Sequence, residues 1–133
     1  MNIEELASLA RGAAEGSYSP YSNFRVGAVV VGAQGEVFTG ANVENASYPE
    51  SSCAETNAIN TAVSQGVRKI DTVVVACVDA ADLDGAYPCG GCRQIMAEFG
   101  VERVIVTAGD GSAVREHTLD ELLPHRFGPE DLP

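Results

Sequence analysis

The sequence predicts an α/β fold: a five-stranded mixed sheet with helices on both faces, a three-layer α/β/α arrangement. Three observations carry this. The nearly continuous apolar runs Phe24 to Val31 and Thr72 to Val78 read as buried central strands. Segments of helical periodicity alternate with strands, and strands joined through helices imply parallel pairs with right-handed crossovers. Hairpins then add antiparallel pairs, so the sheet is mixed. A chain of 133 residues suits one domain, residues 1–133, with one core.

The elements follow in order. Asn2 and Glu5 are spaced for a capping box, and Ile3, Leu6, Leu9, Ala10 and Ala13 fall on one face of a first helix. The turn formers of Gly16 to Ser22 end it. Phe24 to Val31 is the first strand, Gly32-Ala33-Gln34-Gly35 the hairpin loop and Glu36 to Thr39 the returning strand. Ala41 to Ser52 is a polar loop rich in hydrogen-bonding side chains, among them Asn42, Glu44, Asn45 and Tyr48. Loops set on a scaffold commonly carry function. Ser51 or Ser52 can cap a helix from Cys53 to Gln65, which ends at Gly66. Its stripe of Ala54, Ala58, Ile59, Ala62 and Val63 allows close packing on a sheet. Thr72 to Val78 is the third strand, and Asp79 to Tyr87 an acidic loop. Arg93 to Phe99 is a helix stopped by Gly100. Arg103 to Thr107 and Ala113 to His117 are strands around the turn Gly109-Asp110-Gly111. Thr118 and Glu121 form a second capping box on a short helix, and His125 to Pro133 is a tail.

Composition narrows the function. Nineteen acids against eight bases give a formal charge of −11, which repels polynucleotide phosphates and anionic membranes and favours a small, uncharged substrate. The longest apolar run is far too short to span a bilayer. The acidic start Met1-Asn2-Ile3-Glu4-Glu5 is unlike a signal peptide. These features point to a reducing cytoplasm, where the four cysteines bind metal or do chemistry rather than form disulfides.

The chemistry centres on Pro88-Cys89-Gly90-Gly91-Cys92-Arg93-Gln94. Cys89 and Cys92 open a helix, where unpaired N–H groups and the dipole favour thiolate. By spacing alone the pair suits a redox dithiol, half a structural zinc site or half a catalytic one. Cys53 also opens a helix, so two helix N-termini can bring three thiolates together. Three protein ligands leave the fourth tetrahedral position of Zn²⁺ open to water. Glu55, two residues from Cys53, is placed to move protons. A closed four-cysteine site would need Cys77, but that residue lies in an apolar strand, where a cysteine behaves as a small hydrophobe. Neither His117 nor His125 is assigned a role.

Cys53-Ala54-Glu55 followed by the PCxxC segment resembles the signature of the zinc nucleoside deaminases, whose general chemistry is known. The segments Pro20 to Ala28, Gly40 to Tyr48, Leu122 to Pro124 and Phe127 to Leu132 resemble the small three-cysteine cytidine deaminases, in order and spacing, over nearly the whole chain. The resemblance implies deamination of cytidine and deoxycytidine in pyrimidine salvage, with one zinc ion per chain on Cys53, Cys89 and Cys92. It implies Glu55 as the proton carrier, Phe24 stacked on the pyrimidine, Asn42 and Glu44 on the ribose hydroxyls, and the backbones of Ala54 and Cys89 facing the base. It also implies a homotetramer with shared sites, in which Ala46, Tyr48 and Phe127 reach into a neighbour. Thr56 departs from the pattern, since many relatives carry arginine there. Two other readings stand beside this one: a deaminase of a related aminopyrimidine nucleoside such as blasticidin S, and a zinc-stapled binding module without catalysis.

Overall fold

The computed structural model describes residues 1–133. Four helices and five strands follow one another as α1 (Ile3–Ala13), β1 (Val26–Gly32), β2 (Val37–Ala41), α2 (Ala54–Ser64), β3 (Ile70–Cys77), α3 (Gly90–Glu98), β4 (Arg103–Ala108), β5 (Ala113–Thr118) and α4 (Leu119–Leu122). The strands form one sheet in the order β2-β1-β3-β4-β5. Only β3 and β4 pair in parallel, joined through α3. The other three pairs are antiparallel. The connection through α2 skips over β1, so β2 and β3 run the same way without touching.

The sheet buries both faces, which is why its central strands are almost uniformly apolar. On one face Leu6 and Ala10 of α1 pack on Val29, Val74, Ala76 and Ile105. On the other, Ala58 and Ile59 of α2, Met96 of α3 and Leu119 of α4 cover the alternate residues Val30, Val73, Val75, Val104 and Val106. Three layers result, as the sequence implied. Both expected capping boxes form, Asn2 with Glu5 and Thr118 with Glu121. Gly66 and Gly100 take left-handed conformations just past α2 and α3.

Three of the differences from the expected boundaries bear on the site. No serine caps α2; Cys53 is its N-cap and makes no side-chain cap bond. The serines are spent nearby: the Ser51 hydroxyl accepts from Asn45 N–H, and Ser52 pairs through its backbone with Val43. Helix α3 starts at Gly90 rather than Arg93, with Cys89 as N-cap, because the Cys89 sulfur accepts the Cys92 N–H and closes the first turn. Strand β1 starts at Val26 rather than Phe24, after Asn23 with φ 56°.

One end of the sheet collects what matters. Val26 at the start of β1 pairs with Cys77 at the end of β3, and Gly27 pairs with Ala41 at the end of β2. Helices α2 and α3 both begin at this end. Helix α2 lies unusually close to β2: a Cβ on Gly40 would stand 2.5 Å from Ala58 N and 2.7 Å from Ala54 O. The Asn57 amide also donates to Ala41 O at 2.7 Å. Gly40→Ala is therefore expected to force α2 outward and to destabilise the fold by about 1–3 kcal/mol, as overpacking does. Urea unfolding measures this, and a midpoint unchanged from the parent chain would show that the contact yields freely.

Candidate active site

The N-termini of α2 and α3 bring Cys53, Cys89 and Cys92 together, with all three sulfurs within 4.8 Å of one another. Cys53 Sγ and Cys89 Sγ are 3.9 Å apart. Zinc–sulfur bonds of about 2.3 Å in tetrahedral geometry space two sulfurs about 3.8 Å apart, so the donor set fits zinc in both chemistry and dimension. The CxxC pair is thus not a separate redox dithiol; it shares its site with Cys53. Cys92 is buried, while Cys53 and Cys89 open to solvent. The Cys92 thiol is pushed well above the usual thiol pKa, first by its hydrogen bond with Cys53, then by burial and by the charge of Glu55. A cation bound here would have to displace that proton.

Cys77 takes no part in the cluster. Its Sγ faces the Ala86 carbonyl at 3.7 Å, and burial, with Glu55 nearby, lifts its pKa to about 12. It remains a neutral thiol packed at the end of β3.

Glu55, in the first turn of α2, is only 4% exposed. Burial raises its carboxyl pKa, opposed by its own backbone N–H and by Cys92. A carboxyl raised in this way holds a proton more readily than an exposed one, which suits it to pass a proton on. It lines a cavity of about 270 Å³ together with Cys53, Ala54, Cys89, Phe24, Asn42 and Glu44. Seven residues named from the sequence therefore meet in one hollow.

Asn42 and Glu44 are heavily engaged within the chain. Asn42 Oδ1 accepts from Val26 N–H at 2.9 Å and from Ser17 Oγ, and its Nδ2 donates to Phe24 O at 2.8 Å. Its amide thereby clamps the residues on either side of Arg25. Glu44 accepts from the Tyr21 and Ser22 N–H groups and from the Ser22 hydroxyl, and that hydroxyl leads in holding its carboxyl below the usual pKa. Ala46, Tyr48 and Phe127 lie outside the cavity. Tyr48 is 69% exposed with its ring edge-on to Tyr21, and Phe127 is 57% exposed with its carbonyl bound by Gln94.

Thr56 Oγ1 lies 3.5 Å from Cys92 Sγ, so its hydroxyl can donate to a thiolate there. Arg93 is occupied elsewhere: it donates to Pro88 O at 2.9 Å and to Leu122 O at 2.8 Å. The sequence also missed Tyr87, Gly85, Val26 and Cys77, which line the cavity with Ser51 and Ser52. They sit in an acidic loop and at strand ends, where neither periodicity nor spacing marks a site.

The family is now decided by comparison. Residues 1–108 match the family model described as the cytidine and deoxycytidylate deaminase zinc-binding region. The chain belongs to the cytidine and deoxycytidylate deaminase family. It is 41% identical to a cytidine deaminase of Sporosarcina psychrophila, over 99% of this chain and 96% of that protein. It is 43% identical to that of Halalkalibacterium halodurans, over 99% and 98%. Its fold matches the crystal structure of cytidine deaminase from Burkholderia pseudomallei with a TM-score of 0.86 at 39% identity, covering 96% of this chain and 100% of the other. For a deaminase of this family, the three-sulfur cluster is the expected place for zinc.

If the Thr56 hydroxyl supports the Cys92 sulfur, Thr56→Val should weaken zinc retention by about tenfold, within the range usual for partners of metal ligands. Cys77→Ser should leave zinc retention unchanged. Chelator competition on both variants separates these outcomes; zinc loss from the Cys77 variant would instead place that residue among the ligands.

Proposed function

We propose that this chain is a zinc-dependent deaminase that hydrolyses cytidine and deoxycytidine to uridine and deoxyuridine with release of ammonia. The observation that carries the reading is the buried carboxyl of Glu55 in the same cavity as Cys53 and Cys89, whose sulfurs cluster with that of Cys92. Those sulfurs would hold one zinc ion, which when bound supplies the Lewis acidity that makes water a nucleophile near neutral pH. Glu55 takes the proton from water and hands it to N3 of the pyrimidine, then carries a second to the departing amine. Water adds at C4, the C4–N4 bond breaks, and the atoms balance as nucleoside plus water to deaminated nucleoside plus ammonia. Phe24 offers its ring to the base, and Ala54 and Cys89 offer backbone groups to its edge. Glu44 accepts from the sugar hydroxyls with the lone pairs its internal bonds leave over. Asn42, with Oδ1 already accepting twice, contributes its remaining N–H and otherwise shapes the site by holding Phe24.

The substrate is a free nucleoside, not a nucleotide or nucleic acid. The net charge of −11 and the Glu44 carboxylate in the cavity both disfavour phosphate. The chain acts as a single deaminase domain in cytoplasmic pyrimidine salvage. No helix is long and apolar enough to cross a membrane.

The test is loss of cytidine absorbance with protein of measured zinc content. Glu55→Gln should keep zinc and fold while turnover falls by about 10²–10⁴-fold, since an amide cannot relay the proton. Rates on cytidine monophosphate comparable to those on cytidine would overturn the nucleoside reading. Faster turnover of blasticidin S than of cytidine would reassign the substrate. Ammonia release from none of them would leave a zinc-stapled binding module.

The reading extends to a homotetramer with sites shared between chains, in which Ala46, Tyr48 and Phe127 of one chain approach the cavity of the next. It is supported by the exposure of Tyr48 and Phe127, large side chains with little cover in a single chain. Deleting residues 125–133 should raise KM and loosen assembly in sedimentation experiments. A truncated chain that stays fully active as a monomer would end this reading.

A further inference from the structure

The segment that leads into Cys89 has almost no backbone support. Ala86 donates its N–H to Leu83 O, but neither Tyr87 nor Pro88 makes a backbone–backbone hydrogen bond. Side chains hold it instead, at three successive residues. Cys77 Sγ faces Ala86 O, and Arg93 Nε donates to Pro88 O. Between them, the Tyr87 hydroxyl is bound by two residues of the edge strand β5, His117 Nε2 at 2.7 Å and Arg115 at 2.9 Å.

The register of the sheet explains why β5 can reach. Val104 is opposite His117 and Val106 opposite Arg115. Directly opposed residues share a face, and Val104 and Val106 face the layer of α2 and α3. His117 and Arg115 therefore stand on the site side of the edge strand, two residues apart. Arg115 can only donate, so the Tyr87 oxygen accepts from it and its O–H is free to donate to His117 Nε2. With the imidazole proton on Nδ1, toward Glu121 Oε2 at 3.5 Å, Nε2 accepts that O–H. The other end of the relay runs from Arg115 to Asp84, at 3.5 Å. The chain Asp84–Arg115–Tyr87–His117–Glu121 thus ties the irregular segment to the corner of β5 and α4. The rings of Tyr87 and His117 add a packed contact, with centroids 5.3 Å apart.

We propose that Tyr87 is a positioning residue: its hydroxyl, held by His117 and Arg115, fixes the wall of the cavity and the placement of Cys89. This rests on the deaminase reading for its kinetic consequence but not for its structural one. Tyr87 itself lines the cavity, as does Gly85, and Cys89 follows two residues later. Loss of the clamp would let the segment drift by the small distances to which a metal site and a catalytic pocket are sensitive.

The experiment uses Tyr87→Phe, which deletes one oxygen, with His117→Leu, His117→Gln and the double variant Tyr87→Phe/His117→Leu. Each is measured in the zinc-loaded protein for zinc release to a chelator, for kcat and KM on cytidine, and for Tm. Tyr87→Phe and His117→Leu should each speed zinc release and lower kcat/KM, by about 3- to 30-fold, the range of one lost hydrogen bond. The double variant should be no worse than Tyr87→Phe alone, because that variant already removes the link to His117. His117→Gln, whose amide oxygen can accept from the phenol, should recover most of the loss. Zinc release and kcat/KM at parent values in Tyr87→Phe would overturn the proposal, even if Tm fell, because the clamp would then serve stability alone. Additive effects in the double variant would overturn it too. If the parent chain turned over no cytidine, the deaminase reading would fail, and zinc release alone would decide the clamp.

Discussion

Everything at this site depends on two helices starting at the same point. Helices α2 and α3 come from different crossovers, yet both begin at one end of the sheet, and their first turns carry the three cysteines. Each helix N-terminus presents unpaired N–H groups and about half a positive charge. Three thiolates crowded within 4.8 Å would repel one another, and such an end is a place where they can be tolerated. Cys53 makes no side-chain cap bond, so its sulfur does not occupy the first N–H groups of α2. Cys89 spends its sulfur on the Cys92 N–H and so fixes the turn that presents both.

The close approach of α2 to the sheet is a matter of small residues. Gly40 on the strand and Ala54 and Ala58 on the helix bring backbones together that larger side chains would separate. That closeness buries Glu55, and burial raises its pKa. Packing and chemistry are therefore the same fact seen twice: the alanine stripe that seats the helix also tunes the carboxyl beside Cys53.

Around this rigid centre the irregular segments are held by side chains. Asn42 clamps the start of β1, Glu44 gathers the Tyr21–Ser22 turn, and Cys77, Arg93 and the Tyr87 relay secure the approach to Cys89. Polar residues that look like ligand contacts in the sequence thus carry a structural load as well. Arg93 shows the converse. It directly follows Cys92, but its guanidinium is turned to two carbonyls, leaving the Thr56 hydroxyl as the neutral partner of the buried sulfur.

The five strands, the three layers, both capping boxes and the helix-stopping glycines were legible in the sequence, because periodicity and turn chemistry are local properties. So was the meeting of the three cysteines, since Cys53 and the PCxxC segment each open a helix and the resemblance to the zinc deaminases put them in one site. The cap of α2 and the start of α3 were misplaced because Ser51, Ser52 and Cys89 find partners that only the fold supplies. The role of His117 was hidden for the same reason: it is thirty residues from Tyr87 in sequence and 2.7 Å from it in space. A residue's type and spacing determine what it can bond. Which partner it meets is decided by strand order and register, and these follow from the packing of the whole chain.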